Sequence, residues 1–154
     1  MQEFFKTETI QERVLLIGVR TGEADDTDGS LDELEELVKT AGALTVGRVI
    51  QNREAVHPTT YIGKGKIDEV RALAAETDAS GVVCDDELSP VQLRELEDEL
   101  QMKVMDRTLV ILDIFAGRAT TSEGKIQVEL AQLKYRLTRL TGLGRSLSRL
   151  GGGI

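Results

Sequence analysis

Apolar residues in this chain fall into short continuous runs separated by stretches of helical spacing. Val14-Leu15-Leu16-Ile17-Gly18-Val19, entered from Arg13, has strand length and no polar alternation, which predicts a strand buried on both faces. The Gly/Asp/Thr-rich stretch 21–29 predicts a loop. Ser30 and Glu33 then have capping-box spacing, and Leu31, Leu34, Leu37, Val38 and Ala41 recur at helical intervals up to a closing Gly42. Leu44 to Ile50, rich in β-branched residues, predicts a second strand. A helix carrying Ile67, Val70, Leu73 and Ala74 and a third strand Gly81-Val82-Val83-Cys84 follow. Ser89-Pro90-Val91-Gln92 supplies an N-cap, a proline at the first helical position and a capping-box glutamine for a helix buried through Leu93, Leu96 and Leu100. Lys103-Val104-Met105-Asp106 is a minimal fourth strand.

Strands alternating with helices of this length predict an α/β fold: a parallel sheet of about four strands with helices on both faces. Residues 108–117 are β-branched enough for a strand, but Leu109, Leu112, Phe115 and Ala116 favour a helix. Thr120 and Glu123 predict the cap of a long C-terminal helix, in which Ile126, Leu130, Leu133, Leu137 and Leu140 are spaced 4, 3, 4 and 3 apart. That spacing is the seam of a coiled-coil-like packing and needs a cover. The cover is the α/β body, another chain, or a helix beyond residue 154, with self-association or a displaced helix expected in its absence. The chain divides into an α/β subdomain, 1–117, and a long helix with a Gly/Arg-rich end, 118–154.

Composition sharpens this picture through charge. The 154 residues carry 19 basic and 27 acidic side chains, net −8, an average that argues against a nucleic-acid partner. Residues 1–117 hold 12 basic and 25 acidic groups, net −13, whereas 118–154 hold 7 basic and 2 acidic, net +5. An acidic body with a basic end confines any RNA contact to that end. No apolar run reaches the ~20 residues of a membrane span, and the N-terminus lacks a basic flank and a long apolar stretch, so the expectation is a cytoplasmic protein with no membrane partner. One cysteine, Cys84, and one histidine, His57, leave no disulfide framework and few zinc geometries.

Four places carry candidate chemistry. Gly63-Lys64-Gly65-Lys66 before a helix could cradle an anion, although a tight turn with solvated lysines explains it equally, and no Walker A pattern occurs in the chain. Asp85, Asp86 and Glu87 sit at the C-terminal end of a parallel strand, where ligands of open α/β sheets bind. Asp85 and Asp86 are weak candidates for Mg²⁺, and helix-flanking charge is the plainer reading. A phosphoacceptor receiver domain would need an acidic pair after the first strand and a fifth strand, and has neither. Cys84 reads as a small buried hydrophobe and His57 as a loop residue; no acyl-transfer nucleophile is present. At the basic end, Arg139, Arg145 and Arg149 flank Gly142, Gly144, Ser148, Gly151 and Gly152. Arginine near glycine suits phosphates and splayed bases, the alternative being a solvated helix face. Five aromatics are too few for a base-stacking sheet surface.

Six segments together carry a family resemblance. These are Tyr61-Ile62-Gly63-Lys64-Gly65-Lys66, Asp85-Asp86-Glu87-Leu88-Ser89-Pro90-Val91-Gln92, Asp106-Arg107-Thr108, Ile111-Leu112-Asp113-Ile114-Phe115-Ala116, Glu123-Gly124-Lys125-Ile126-Gln127-Val128-Glu129-Leu130-Ala131-Gln132-Leu133 and Leu147-Ser148-Arg149-Leu150-Gly151-Gly152-Gly153-Ile154. In this order they resemble the N-terminal region of the HflX family of translational GTPases, over about residues 13–154.

The resemblance implies a protein that binds the large ribosomal subunit and its rRNA and splits ribosomes in stress rescue. It implies an α/β subdomain followed by two antiparallel helices, whose connecting loop would begin at Thr141 and reach the rRNA; with that, the candidate rRNA contacts are Arg139 at the end of the helix and Gly142, Gly144, Arg145, Ser148, Arg149, Gly151 and Gly152 beyond it. GTP and Mg²⁺ would belong to a downstream GTPase domain, so this chain itself is expected to hold no cofactor and to catalyse nothing. The competing reading is an α/β regulatory domain holding a nucleotide or anion at Gly63, Lys64, Gly65 and Lys66.

Overall fold

The computed structural model describes residues 11–119 and 121–150, with side chains described through 135 and at 137. Four strands form one parallel sheet in the order β2-β1-β3-β4: β1 Arg13–Arg20, β2 Leu44–Asn52, β3 Gly81–Cys84 and β4 Lys103–Asp106. The connecting helices are α1 Thr27–Thr40, α2 Lys64–Thr77 and α3 Pro90–Leu100; α4 Arg107–Arg118 and α5 Ser122–Leu150 follow the last strand. The unbroken apolar run of β1 is explained by its position, because its successive side chains enter two different cores. Leu15, Ile17 and Val19 pack with Ile67, Val70 and Ala74 of α2 and Leu96 and Leu100 of α3. Val14 and Leu16 pack with Leu31, Leu34 and Val38 of α1 and Leu109, Val110 and Ile114 of α4. The sheet is therefore covered on both faces, as its sequence pattern predicts, and residues 107–118 form the expected helix.

Three local readings differ in the structure. α1 begins at Thr27 and is capped by Asp26, whose carboxylate accepts from Gly29 N–H at 3.1 Å. The expected Ser30–Glu33 box is absent, because Ser30 lies one turn inside and its hydroxyl donates to Asp85 Oδ2 at 2.6 Å. An aspartate three residues ahead of the first available N–H competes better for the cap than a serine that has a partner across the sheet. At the start of α5 it is Thr121 that accepts from Gly124 N–H, at 2.9 Å; Thr120 lies outside the described residues. Finally, α5 continues to Leu150, so the loop expected to begin at Thr141 is helical to that point. Gly151 and Gly152 lie outside the described residues.

α5 touches both α3 and α4, which cover opposite faces of the sheet, so it runs past the β4 edge. Its apolar seam faces away from the body: Ile126, Leu130, Leu133 and Leu137 are 63%, 48%, 52% and 54% exposed. The body is thus not the cover that the leucine spacing calls for. Among the described residues no helix is long and apolar enough to cross a membrane.

These placements separate two leucines by outcome. Truncating fully buried Leu16 to alanine is expected to lower the unfolding free energy by about 2–5 kcal/mol in urea titrations, through lost burial and a cavity. Leu130→Ala, on the exposed seam, is expected to change it by less than about 0.5 kcal/mol.

Candidate functional site at the strand ends

The strand order reverses between β1 and β3, and the crevice beyond their C-terminal ends is where open parallel sheets bind ligands. Asp85 follows β3 directly into this position. Its backbone N–H donates to Ile17 O of β1 at 2.9 Å, extending the ladder by one bond. Its carboxylate is taken up from both sides: Ser30 Oγ donates to Oδ2 at 2.6 Å and Arg107 Nη2 to Oδ1 at 2.7 Å. Arg107, at the first position of α4, also donates to Asp85 O at 3.3 Å, Ser30 O at 3.0 Å and Glu33 Oε1 at 2.9 Å. One guanidinium therefore ties β3, α1 and α4 together at the crevice. Burial alone would lower the affinity of Arg107 for its proton, but the hydrogen bonds and charges of Asp85 and Glu33 outweigh it and raise its pKa above the usual value.

The neighbouring acid is occupied as well. Asp86 Oδ2 accepts from the Tyr61 hydroxyl at 2.7 Å. Tyr61 is buried, with a left-handed backbone (φ 67°) stabilised by a paired bridge to His57. His57 organises that turn: its Nδ1 accepts from Thr59 N–H at 3.1 Å and Thr60 N–H at 3.2 Å, and its carbonyl accepts from Gln92 Nε2 at 2.8 Å. Among the described residues no three His, Cys, Asp or Glu side chains are grouped to hold a metal ion. For Asp85 and Asp86 the competing donors are an arginine, a serine and a tyrosine.

Asp106, the last residue of β4, is 1% exposed, and its carboxylate is shared among three donors. Oδ1 caps α4 through Leu109 N–H at 3.0 Å; Oδ2 accepts from Leu88 N–H at 2.9 Å and from the Tyr135 hydroxyl of α5. Sequence reasoning placed Asp106 at the end of a strand and in a family motif with Arg107, and read Ser30 as a helix cap; it assigned Arg107 and Tyr135 no role and did not foresee this network. The one available signal was an acid and an arginine side by side at a strand-to-helix junction.

The glycine-lysine segment has a different character. Gly63 is the N-cap of α2 with no side-chain cap, and its N–H donates to Gln51 Oε1 at 2.8 Å. Lys66 pairs with Glu69 at 2.8 Å one turn on, while Lys64 is exposed. Nothing here reproduces a phosphate loop, and Asp85 and Asp86 are already engaged by Arg107, Ser30 and Tyr61, so these strand-end residues do not fit GTP with its Mg²⁺. Cys84 is fully buried, and burial followed by the charges of Asp106, Asp86 and Asp85 pushes its thiol pKa well above the ordinary value. Burial, with Cys84 and Asp86 adding to it, likewise raises Tyr61 far above a free phenol. Neither is an activated nucleophile. Arg139, Arg145, Arg149, Gly142, Gly144 and Ser148 lie on the helical backbone of α5, distant in sequence from the crevice.

Comparison with known proteins gives a consistent match. The family model for the GTP-binding GTPase N-terminal region matches residues 28–116, and that for the GTP-binding GTPase middle region matches 118–154. GTPase HflX of Lacrimispora saccharolytica is 67% identical over 154 residues, covering 100% of this chain and 36% of the relative. The Alkalihalophilus pseudofirmus protein of the same name is 51% identical over 144 residues, covering 93% and 34%, and that of Escherichia coli 43% identical over 143, covering 93% and 33%. The chain thus spans about a third of the length of these relatives. Among solved structures, a GTP-binding protein of Sulfolobus solfataricus in complex with GDP superposes with a TM-score of 0.65 at 23% identity, covering 88% of this chain and 40% of that one. At that identity the likeness concerns the fold.

The network has measurable consequences. Arg107→Ala leaves the Asp85 carboxylate short of its cation in a site where the two side chains are only 22% and 10% exposed, and is expected to cost about 3 kcal/mol in urea unfolding. Arg107→Lys should recover little of this, since an ammonium cannot fork between Asp85, Ser30 and Glu33. Stability should also fall with alkali. Because Cys84 and Tyr61 bind their protons more tightly when folded, the unfolded chain releases them first, and unfolding becomes easier once the pH passes the thiol's ordinary value of about 8.5. Urea midpoints measured between pH 7.5 and 10 check this, and Cys84→Ala should flatten the first part of the decline.

Proposed function

Because this chain belongs to the HflX family of GTPases, we propose that it is the ribosome- and rRNA-binding N-terminal region of such a protein, acting on the large subunit in ribosome splitting and rescue under stress. GTP hydrolysis, with GTP and Mg²⁺, is assigned in this reading to a GTPase domain of the longer protein, which this region positions. The cell compartment that fits is the cytoplasm.

The observation that carries the proposal is the separation of positive charge into the C-terminal segment that contains α5. Residues 118–154 hold 7 basic and 2 acidic groups beside a body of net −13. The helical course of α5 to Leu150 changes how these groups act together. At 3.6 residues per turn, positions 139, 142, 145 and 149 fall within about 120° of the helix circumference. Positions 139, 145 and 149 therefore share one face of the helix, with Gly142 between them, so the basic residues follow a helical stripe rather than a loop. An acidic body repels RNA everywhere except along that stripe. Gly144, Ser148, Gly151 and Gly152 complete the proposed contact region. The alternative of a nucleotide or anion at Gly63, Lys64, Gly65 and Lys66 is less well supported, because Gln51 already satisfies Gly63 N–H and Glu69 pairs Lys66.

Sedimentation of the chain with isolated large ribosomal subunits over a salt series tests the proposal. Replacing Arg139, Arg145 and Arg149 together with alanine is expected to abolish co-sedimentation at physiological salt. It should also reduce the slope of log affinity against log salt by about 2–3, since each phosphate contact contributes about 0.7–0.9. Unchanged binding by the triple variant would remove the stripe from the interface.

A further inference from the structure

α5 meets the body through a face poor in apolar groups. Among its described side chains the half-buried positions are Gly124, Val128, Gln132 and Tyr135, while Ile126, Leu130, Leu133 and Leu137 face solvent. Polar bonds cross this contact. Gln132 Nε2 donates to Asp113 Oδ1 at 3.0 Å, and the Tyr135 hydroxyl donates to the carboxylate of Asp106. The second acceptor is the more firmly held. Asp106 is 1% exposed and also caps α4 and accepts from Leu88 N–H, so it cannot turn away without leaving buried donors unpaired. The Tyr135 ring packs against the core formed by α1 and α4, which fixes the phenol at its other end. A short aromatic lever held by packing along its body and by a charged acceptor at its tip resists rotation of the helix that bears it.

Helical periodicity gives that resistance a direction. Position 135 falls on the same 120° arc of α5 as positions 139, 142, 145 and 149. The face that docks on the body in the first half of the helix is continued by the arginine face in the second.

We propose that Tyr135 is the positioning residue of the RNA-binding helix: its bond to Asp106 sets the rotation of α5 about its own axis, and so the direction in which Arg139, Arg145 and Arg149 are presented. The consequence for binding rests on the rRNA-binding reading above; the orientation of the helix does not. Tyr135→Phe removes one hydroxyl and leaves the ring in its pocket, making it the informative variant.

Spin labels at Glu36→Cys on α1 and Gln127→Cys on α5, both exposed positions, report the body-to-helix distance in the full chain, with Cys84 buried and unlabelled. With Tyr135→Phe the distance distribution is expected to at least double in width while amide exchange in β1 and β3 keeps its original protection. An unchanged distribution overturns the proposal. Equal broadening by Gln132→Ala also overturns it, since that would be general undocking rather than loss of one pin. In the subunit-binding assay, Tyr135→Phe should weaken association about tenfold, the equivalent of one hydrogen bond to a charged group, with the salt slope retained because the same arginines meet the RNA. A broadened helix that binds with undiminished affinity refutes the positioning role. If the unsubstituted chain fails to bind subunits, the rRNA reading falls, and the spin distances still decide whether Tyr135 orients the helix.

Discussion

A carboxylate removed from water must have its lone pairs filled, and Asp106 meets that requirement by drawing four separate parts of the chain to one point. The end of β4 supplies the acid, α4 and the β3–α3 connection supply backbone donors, and α5 supplies a phenol. None of these partners is replaceable by solvent at a residue 1% exposed. The adjacent Arg107 extends the arrangement to β3 and α1 through Asp85, Ser30 and Glu33. The strand-end layer is thus a single polar network whose members are buried because the apolar sheet beneath them is covered on both faces.

This layer explains why the crevice at the reversal of strand order is not an obvious ligand site here. Parallel sheets gather unsatisfied backbone groups and helix N-termini at their C-terminal edge, and ligands commonly answer them. In this chain the answer comes from within: Asp85 and Asp86 are each held by donors from other elements, Arg107 and Ser30 for the first and Tyr61 for the second. The edge serves cohesion, and the candidate interaction surface moves outward to α5.

α5 has three kinds of surface along one 29-residue helix. A polar docking face with Gln132 and Tyr135 meets the body, an exposed apolar seam runs from Ile126 to Leu137, and the basic positions occupy the C-terminal half. Because the docking positions and positions 139, 145 and 149 lie on the same side of the helix, the proposed role makes the acidic body govern where the basic stripe points. Body and helix therefore act together even though their charges are opposite.

How much of this was legible in the sequence depended on the range of the interaction. Periodicity and capping chemistry are local, and they located the four strands and five helices of the described residues, including the Ser89–Gln92 box, which forms as expected. The charge split at residue 117 is likewise a property of the chain itself, as are the six segments that identify its family. Readings failed where a residue had a distant competitor for its hydrogen bond. Ser30 has the spacing of a cap, yet its hydroxyl is used by Asp85, 55 residues away. Tyr135 sits in a helix that reads as a leucine seam, yet docking is through its phenol, on the opposite side from the leucines. Glycines at 142 and 144 suggest a loop, yet helix continues through them to Leu150. The amino-acid order by itself determined the elements, the two-sided burial of β1 and the location of positive charge, because those follow from side-chain period and count. Only the tertiary structure decided which acid meets which donor, because a buried carboxylate selects its partners by proximity in space, and sequence spacing carries no record of that.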